Sequence, residues 1–377
     1  MDGFSLKRVI RRPWLSLLSF VISAAICFLL CTLANYRDAQ KANLEHIRET
    51  YDVKCVVTDL RGTQSSNLGL AWRYWEFIMD EENGLGSFVK TLLLTKTFGG
   101  SGDMGAVSII GVSSPKCIAE LDPALGGDYY SETEDFFESV KNICLVSRDI
   151  YEEYKDRQIE LTVVDPAGES LGEGAGTGKS PFNVVGWYKG EGLIVIPYEY
   201  SQRLGASLAG NPSTDSVAFL LNDNDSGEAV MEAAAPMFSK VDPSSSQLGK
   251  YALIVQDEQY RATMSATKQD ISRTELLLPL ITLLGLGAGF LLGFLATRGE
   301  TKNYALMRTL GMTAPKLMLS ILLEQQILPL IACAITAAVT RQPLQAALIF
   351  GFGLVGCAIA VLKQVLTPPT RLLKNRE

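Results

Sequence analysis

The sequence predicts an integral membrane protein with four transmembrane α-helices and a large α+β extracytoplasmic domain inserted between helices 1 and 2. Three observations predict it. Runs of about twenty apolar residues occupy 14–36, 276–297, 317–339 and 344–362, and a bilayer needs roughly 20 residues per spanning helix. The block between the first two runs, 37–275, contains no such run and is long enough to bury a core of its own. Charge divides the chain at the same places. Residues 37–275 carry 21 basic and 37 acidic side chains, net −16, whereas 1–36 and 276–377 are net +3 and +6, giving −7 for the chain.

This pattern excludes a purely soluble protein and a pore with no outer domain. It also excludes nucleic acid as a partner of the middle block, because nucleic-acid binders are basic. The expected divisions are 1–36, a cytoplasmic N-terminus and the first membrane helix; 37–275, the outer domain with stalk helices at both ends; and 276–377, membrane helices two to four with a cytoplasmic segment at 298–316.

Taken in chain order, Lys7, Arg8, Arg11 and Arg12 precede the first apolar run. Basic residues mark cytoplasmic helix ends, so the N-terminus is expected inside and 37–275 outside. The first run is longer than the 7–15 apolar residues of a signal peptide, which predicts an uncleaved anchor. The second run returns the chain to the cytoplasm, where 298–316 carries Arg298, Lys302, Arg308 and Lys316 against Glu300 alone. A short outer turn at 341–343 joins runs three and four. Lys363, Arg371, Lys374 and Arg376 then place the C-terminus inside. The expected location is the cell membrane, multi-pass, with membrane lipid as a partner.

Polar helices are expected to extend two of the membrane helices outward as a stalk. In 38–51, Leu44, Ile47 and Tyr51 share a face; in 256–275, Tyr260, Met264, Thr267, Ile271 and Thr274 recur at 4-3-4-3 spacing. Between them the pattern predicts strands at 54–58, 90–94, 106–112, 143–146, 160–164, 182–188, 193–197, 216–221 and 252–255. Helices are expected at 68–81, 131–140, 148–155, 198–204 and 228–238. Exposed, mobile loops are expected at 99–105, 166–181 and 242–247. The irregular alternation implies an α+β domain or two lobes.

Several motifs fail on inspection. The run GAGTGKS at 174–180 lacks the first glycine of a phosphate loop, since Glu173 stands there, and Pro181 with a strand follows instead of a helix. It reads as a flexible loop, so no ATP hydrolysis and no cofactor are expected in this chain. Asn222 to Gly227 resembles the start of a calcium loop, but Asn222 stands where Asp is wanted and Ala233 where the bidentate Glu belongs. An acidic turn is expected there, carrying a glycosylation sequon at Asn224. The single histidine, His46, cannot build a His-based metal cluster. Of the seven cysteines, Cys27, Cys31, Cys333 and Cys357 fall in membrane runs; Cys55, Cys117 and Cys144 fall in the outer domain, where at most one internal disulfide is possible.

Two membrane features stand out. Gly285, Gly289 and Gly293 line one helix face, which allows close helix approach, either inside the bundle or in a dimer seam. Glu324, beside Gln325 and Gln326, is an acidic residue in the third run. Such residues are paired or functional, and a contact with the inside loop is expected. In that loop, 304–310 forms a short amphipathic helix with Tyr304, Met307 and Leu310 on one side, ended by a left-handed Gly311. Its apolar side suits insertion into a partner's groove.

The loop also carries a resemblance. The segment 298–312 (RGETKNYALMRTLGM), then Ala314, Pro315 and Lys316, then Glu324, resembles the FtsX-like permease domain. Glu300, the run Met307-Arg308-Thr309-Leu310-Gly311 and Glu324 match that domain's pattern. The order of one helix, a large outer domain and three helices is that of MacB-type ABC transporters. In the outer domain, ICLVS at 143–147, FNVVGWYKG at 182–190 and 194–198 are similar to that family's. The resemblance implies a separate ABC ATPase subunit as partner, since none is fused here, and a second permease chain forming a homodimer or heterodimer. It also leaves a place for an extracytoplasmic adaptor. It implies ATPase coupling through Glu300, Tyr304, Met307, Arg308, Leu310 and Gly311, with mechanotransmission through the stalk to expel a peptide or lipid-linked substrate. The alternative within that family is a transmembrane regulator of an extracytoplasmic hydrolase or sensor. A receptor or scaffold with no ATPase is a third reading.

Overall fold

The computed structural model describes residues 13–102, 104–155, 157–164, 179–209, 213–298 and 300–366. The basic residues at 7–12, the run at 174–178 and the tail beyond 366 lie outside them. The elements in chain order are α1 (Pro13–Thr50), β1 (Lys54–Asp59), β2 (Leu70–Ala71), α2 (Trp72–Met79), β3 (Val89–Gly102), β4 (Gly105–Val112), β5 (Tyr129–Ser131), β6 (Ile143–Ser147), α3 (Arg148–Tyr154), β7 (Gln158–Val164), β8 (Lys179–Tyr188), β9 (Leu193–Pro197), α4 (Tyr198–Ala209), β10 (Ser213–Thr214), β11 (Ser216–Leu221), α5 (Gly227–Ala234), β12 (Tyr251–Gln256), α6 (Glu258–Arg298), α7 (Thr301–Thr309), α8 (Ala314–Thr340) and α9 (Pro343–Val365). Two compact units result, Thr50–Arg261 and the remainder.

In the first unit, strand pairings run β12-β1-β11-β3-β4-β9-β6-β8-β5, and β7 joins β3 to β8. The pairs β3–β4, β4–β9, β9–β6, β6–β8, β8–β7 and β7–β3 therefore close a ring of six strands. Two of them, β4–β9 and β6–β8, are parallel. Alternating apolar residues on these strands point to one side, and Phe98, Ile109, Val146, Leu161, Phe182 and Ile196 fill the interior. The strands β11, β1 and β12 extend the sheet beyond the ring. Beside them Tyr74 of α2 meets Phe238 and Tyr251 with ring centroids 5.7 and 5.0 Å apart.

All nine sequence-derived strands are present, but two local expectations are corrected. The helix placed at 131–140 is absent: Tyr129–Ser131 is an edge strand paired with β8, and only Phe136–Glu138 forms a 3₁₀ turn. The loop placed at 99–105 is mostly strand. Gly99, Gly100 and Gly102 let β3 pair with β4 on one side and β7 on the other, and a Cβ at Gly102 would stand 2.6 Å from the Glu160 carbonyl oxygen. Elsewhere the boundaries move. Pairing of β2 with β10 delays α2 to Trp72, and α5 stops at Ala234 because Pro236 cannot continue it. The exposed turn at 242–247 is as expected.

In the second unit, four helices are long and apolar enough to cross a membrane: Ser16–Thr50, Glu258–Arg298, Ala314–Thr340 and Pro343–Lys363. The first two continue without a break from apolar into polar sequence. Lys41 Nζ meets Glu275 Oε1 at 2.8 Å. Met264, Thr267 and Thr274 are buried, and the outermost member of the same 4-3-4-3 series, Tyr260, is buried in the first unit. All four membrane-capable helices contribute to one apolar cluster, with Cys27, Leu30, Ile281, Cys333 and Ile349 among its members.

Candidate functional site

The segment joining α6 to α8 folds as its residues dictate. The Tyr304 N–H donates to the Glu300 carbonyl at 3.0 Å, opening α7. At the other end Gly311 adopts φ +95°, the left-handed region. The Gly311 N–H reaches the Arg308 carbonyl and the Met312 N–H the Met307 carbonyl, both at 3.1 Å. These two bonds are the Schellman termination that glycine permits. Thr313 is extended, and Pro315 opens α8 in the first turn, where its missing N–H costs nothing.

The faces of α7 differ from the sequence expectation. Tyr304, Met307 and Leu310 do not share a side. Tyr304 is buried and Met307 half-buried against Leu317, Ile321, Val361 and Val365 of the chain's own helices. Leu306 and Leu310, four residues apart, are instead 61% and 79% exposed, with Met312 beside them at 37%. Leu306 was missed; its i, i+4 spacing to Leu310 was the available signal. Arg308 is also turned inward: its Nη1 donates to the Val365 carbonyl at 2.6 Å. A cation at the last carbonyls of α9 satisfies an otherwise orphan acceptor and opposes the helix dipole. Glu300 is half-buried at the start of α7.

The glycine face of α6 is occupied within the chain. A Cβ at Gly289 would lie 2.2 Å from the Gly353 carbonyl oxygen, and one at Gly293 would lie 2.8 Å from Cys357 Sγ. From the other side, a Cβ at Gly356 would lie 2.1 Å from the Leu286 carbonyl oxygen. At Gly285 the nearest atom is the Ile349 side-chain tip, at 3.1 Å, with Ile26 of α1 at 3.9 Å. The stripe thus packs α6 on α9. Glu324 is half-buried on α8. Its neighbours Gln325 and Gln326 line a cavity of about 30 Å³ with Ser19 and Ser23, room for roughly one or two waters.

The outer-domain motifs resolve into structure. Asn224 is buried, and its amide is bound to backbone at Tyr51 and Val53, so the sequon amide is engaged inside the folded domain. Asp223 caps the acidic turn by accepting from the Asp225 N–H at 3.0 Å. Lys179 and Ser180 lie in β8. All seven cysteines are free thiols. Burial pushes the Cys55 and Cys144 thiols up to about 12, with the Asp257 carboxylate adding to the effect at Cys55. His46 is exposed on α1. No group of three or more His, Cys, Asp or Glu fit to hold a metal occurs among the described residues.

No family model matches the sequence, and no curated protein matches it. Among solved structures, the chain is similar to the extracellular domain of the noncanonic ABC-type transporter YknZ from Gram-positive bacteria. That likeness has 12% identity and a TM-score of 0.31, and covers 54% of this chain and 100% of the other. At that score it carries no argument about function.

Proposed function

We propose that this chain is the membrane-spanning permease subunit of a MacB-type ABC system, coupling ATP hydrolysis by a separate ATPase to movement of its extracytoplasmic domain. The work done outside is expulsion of a peptide or lipid-linked substrate. One observation carries the reading. A nine-residue helix between two membrane-capable helices, closed by a left-handed glycine, presents Leu306 and Leu310 away from the bundle while Tyr304 and Arg308 fasten it to that bundle. Fully burying two leucines is worth about 3–6 kcal/mol before the costs of association, enough to anchor a helix in a partner's groove. The FtsX-like sequence pattern at 300–324 and the order of helices support the same reading. In this division Leu306 and Leu310 touch the ATPase, Tyr304, Met307 and Arg308 hold α7 in place, and Gly311 sets where it ends.

The test is affinity purification of the tagged full chain from its native membrane, with bound proteins identified and assayed for ATPase activity. A stoichiometric ATPase is expected with the wild-type chain, and its loss with Leu310→Asp. An absent ATPase in both preparations would sink the proposal and leave a membrane-anchored binding or scaffold protein.

A further inference from the structure

The roots of both stalk helices meet one short turn. Residue 50 ends α1, and Tyr51 to Val53 lead into β1. There Asn224 Nδ2 donates to the Tyr51 carbonyl at 2.5 Å, and the Val53 N–H donates to Asn224 Oδ1 at 3.1 Å. The next residue serves the other helix: the Tyr260 hydroxyl, in the first turn of α6, donates to Asp225 Oδ1 at 3.0 Å. The Tyr51 and Tyr260 rings are 5.4 Å apart. The turn itself is held by Asp223, whose carboxylate accepts from the Asp225 N–H and whose carbonyl accepts from the Ser226 hydroxyl. Gly227 fits against the start of the same helix, where a Cβ would lie 2.9 Å from Asp257 Oδ2. The turn follows directly on β11, which pairs with both β1 and β3.

We infer that the turn 223–227 is the joint through which helix movement enters the outer sheet, with Asn224 and Tyr260 as its positioning residues. Asn224 ties the end of α1 to the turn, and Tyr260 ties the start of α6 to the adjacent residue. A displacement of either helix end is therefore delivered to one doubly bonded turn and from there along β11 to β3 and the strand ring. Asn224 and Tyr260 are themselves buried, and the Val53–Asn224 bond is enclosed with them. The inference rests on the permease reading above.

The test uses the full chain with its co-purifying ATPase in lipid nanodiscs, comparing amide hydrogen exchange without nucleotide and with ATP plus vanadate. The wild-type chain is expected to show nucleotide-dependent exchange in 216–221. Tyr260→Phe, which keeps the ring contact and removes only the hydroxyl, and Asn224→Ala are expected to lose that response while ATPase binding and turnover stay at wild-type levels. Should Asn224→Ala fail to fold, Tyr260→Phe alone decides. A wild-type response kept by the variants would overturn the joint and leave the permease reading standing. No ATPase, or no nucleotide response in the wild type, would overturn the reading itself and the joint with it.

Discussion

Replacing Gly289 by alanine tests the packing of α6 on α9, and Gly287→Ala supplies its control. The new methyl at position 289 would stand 2.2 Å from the Gly353 carbonyl oxygen and 2.8 Å from that residue's Cα, about 1 Å inside ordinary contact in a close-packed interior. The obstacle is backbone, so relief requires moving a helix rather than turning a side chain. At Gly287 nothing lies within 4 Å of the new Cβ. Both substitutions gain the same helix propensity, about 1 kcal/mol, which cancels between them. Overpacking then leaves Gly289→Ala less stable than Gly287→Ala by about 1–3 kcal/mol, or about 5- to 150-fold in the unfolding equilibrium. The assay is denaturation by sodium dodecyl sulfate in mixed micelles, followed by circular dichroism, with oligomeric state read by native mass spectrometry. Equal midpoints for the two variants would refute the intrachain contact. Loss of a dimer by Gly289→Ala with an unchanged monomer midpoint would return the stripe to a dimer seam.

Other outcomes follow from single sites. Burial alone would raise the Asp52 carboxyl, but the Lys116 and Lys90 ammoniums outweigh it and hold it below the usual carboxylate range. The pair's contribution to stability is thus full above about pH 4, the ordinary Asp value, and is lost as pH falls through the lower folded value. Asp52→Asn should flatten the acid limb of a melting-temperature profile; an unchanged limb would show the pair contributes nothing. Cys55 and Cys144, buried and pushed up to about 12, should resist maleimide at neutral pH until the protein is denatured, because the thiolate is the reactive form; mass spectrometry of the native chain reads this directly. Arg308→Ala should destabilise the bundle by about 1.5–3 kcal/mol, the worth of a hydrogen bond from a charged group, in the same dodecyl sulfate assay; a midpoint equal to wild type would show that Val365 does not depend on it.

The sequence made the periodic parts of this fold legible. Apolar runs marked the four membrane-capable helices, and the 4-3-4-3 series from Tyr260 to Thr274 marked the more buried face of the polar part of α6. Short apolar runs bounded by polar and turn residues marked β1, β9 and β11 almost to the residue. What failed was set by distant partners. Tyr129–Ser131 looks helical together with the acidic residues that follow, yet β8 recruits it as an edge strand. Gly99 to Gly102 look like a loop because no local signal reveals that two strands flank them. The closed ring of strands depends on β7 pairing with β3, a contact between segments about sixty residues apart that composition does not encode. In the segment between α6 and α8, the helix and its Gly311 stop were legible from turn chemistry. Which face points outward was not, because Tyr304 is claimed by Leu317 and Val361 from helices that follow it in the chain.

In the proposed function the outward face of α7 grips an ATPase. Site-specific photocross-linking in the native membrane tests it most directly, with p-benzoylphenylalanine placed at position 310 and, separately, at position 303, also exposed on α7. An ATP-hydrolysing protein is expected to cross-link from position 310 and to be lost when Leu306→Asp is introduced in the same chain. Cross-links from position 310 to lipid alone, or to no ATPase, would contradict it.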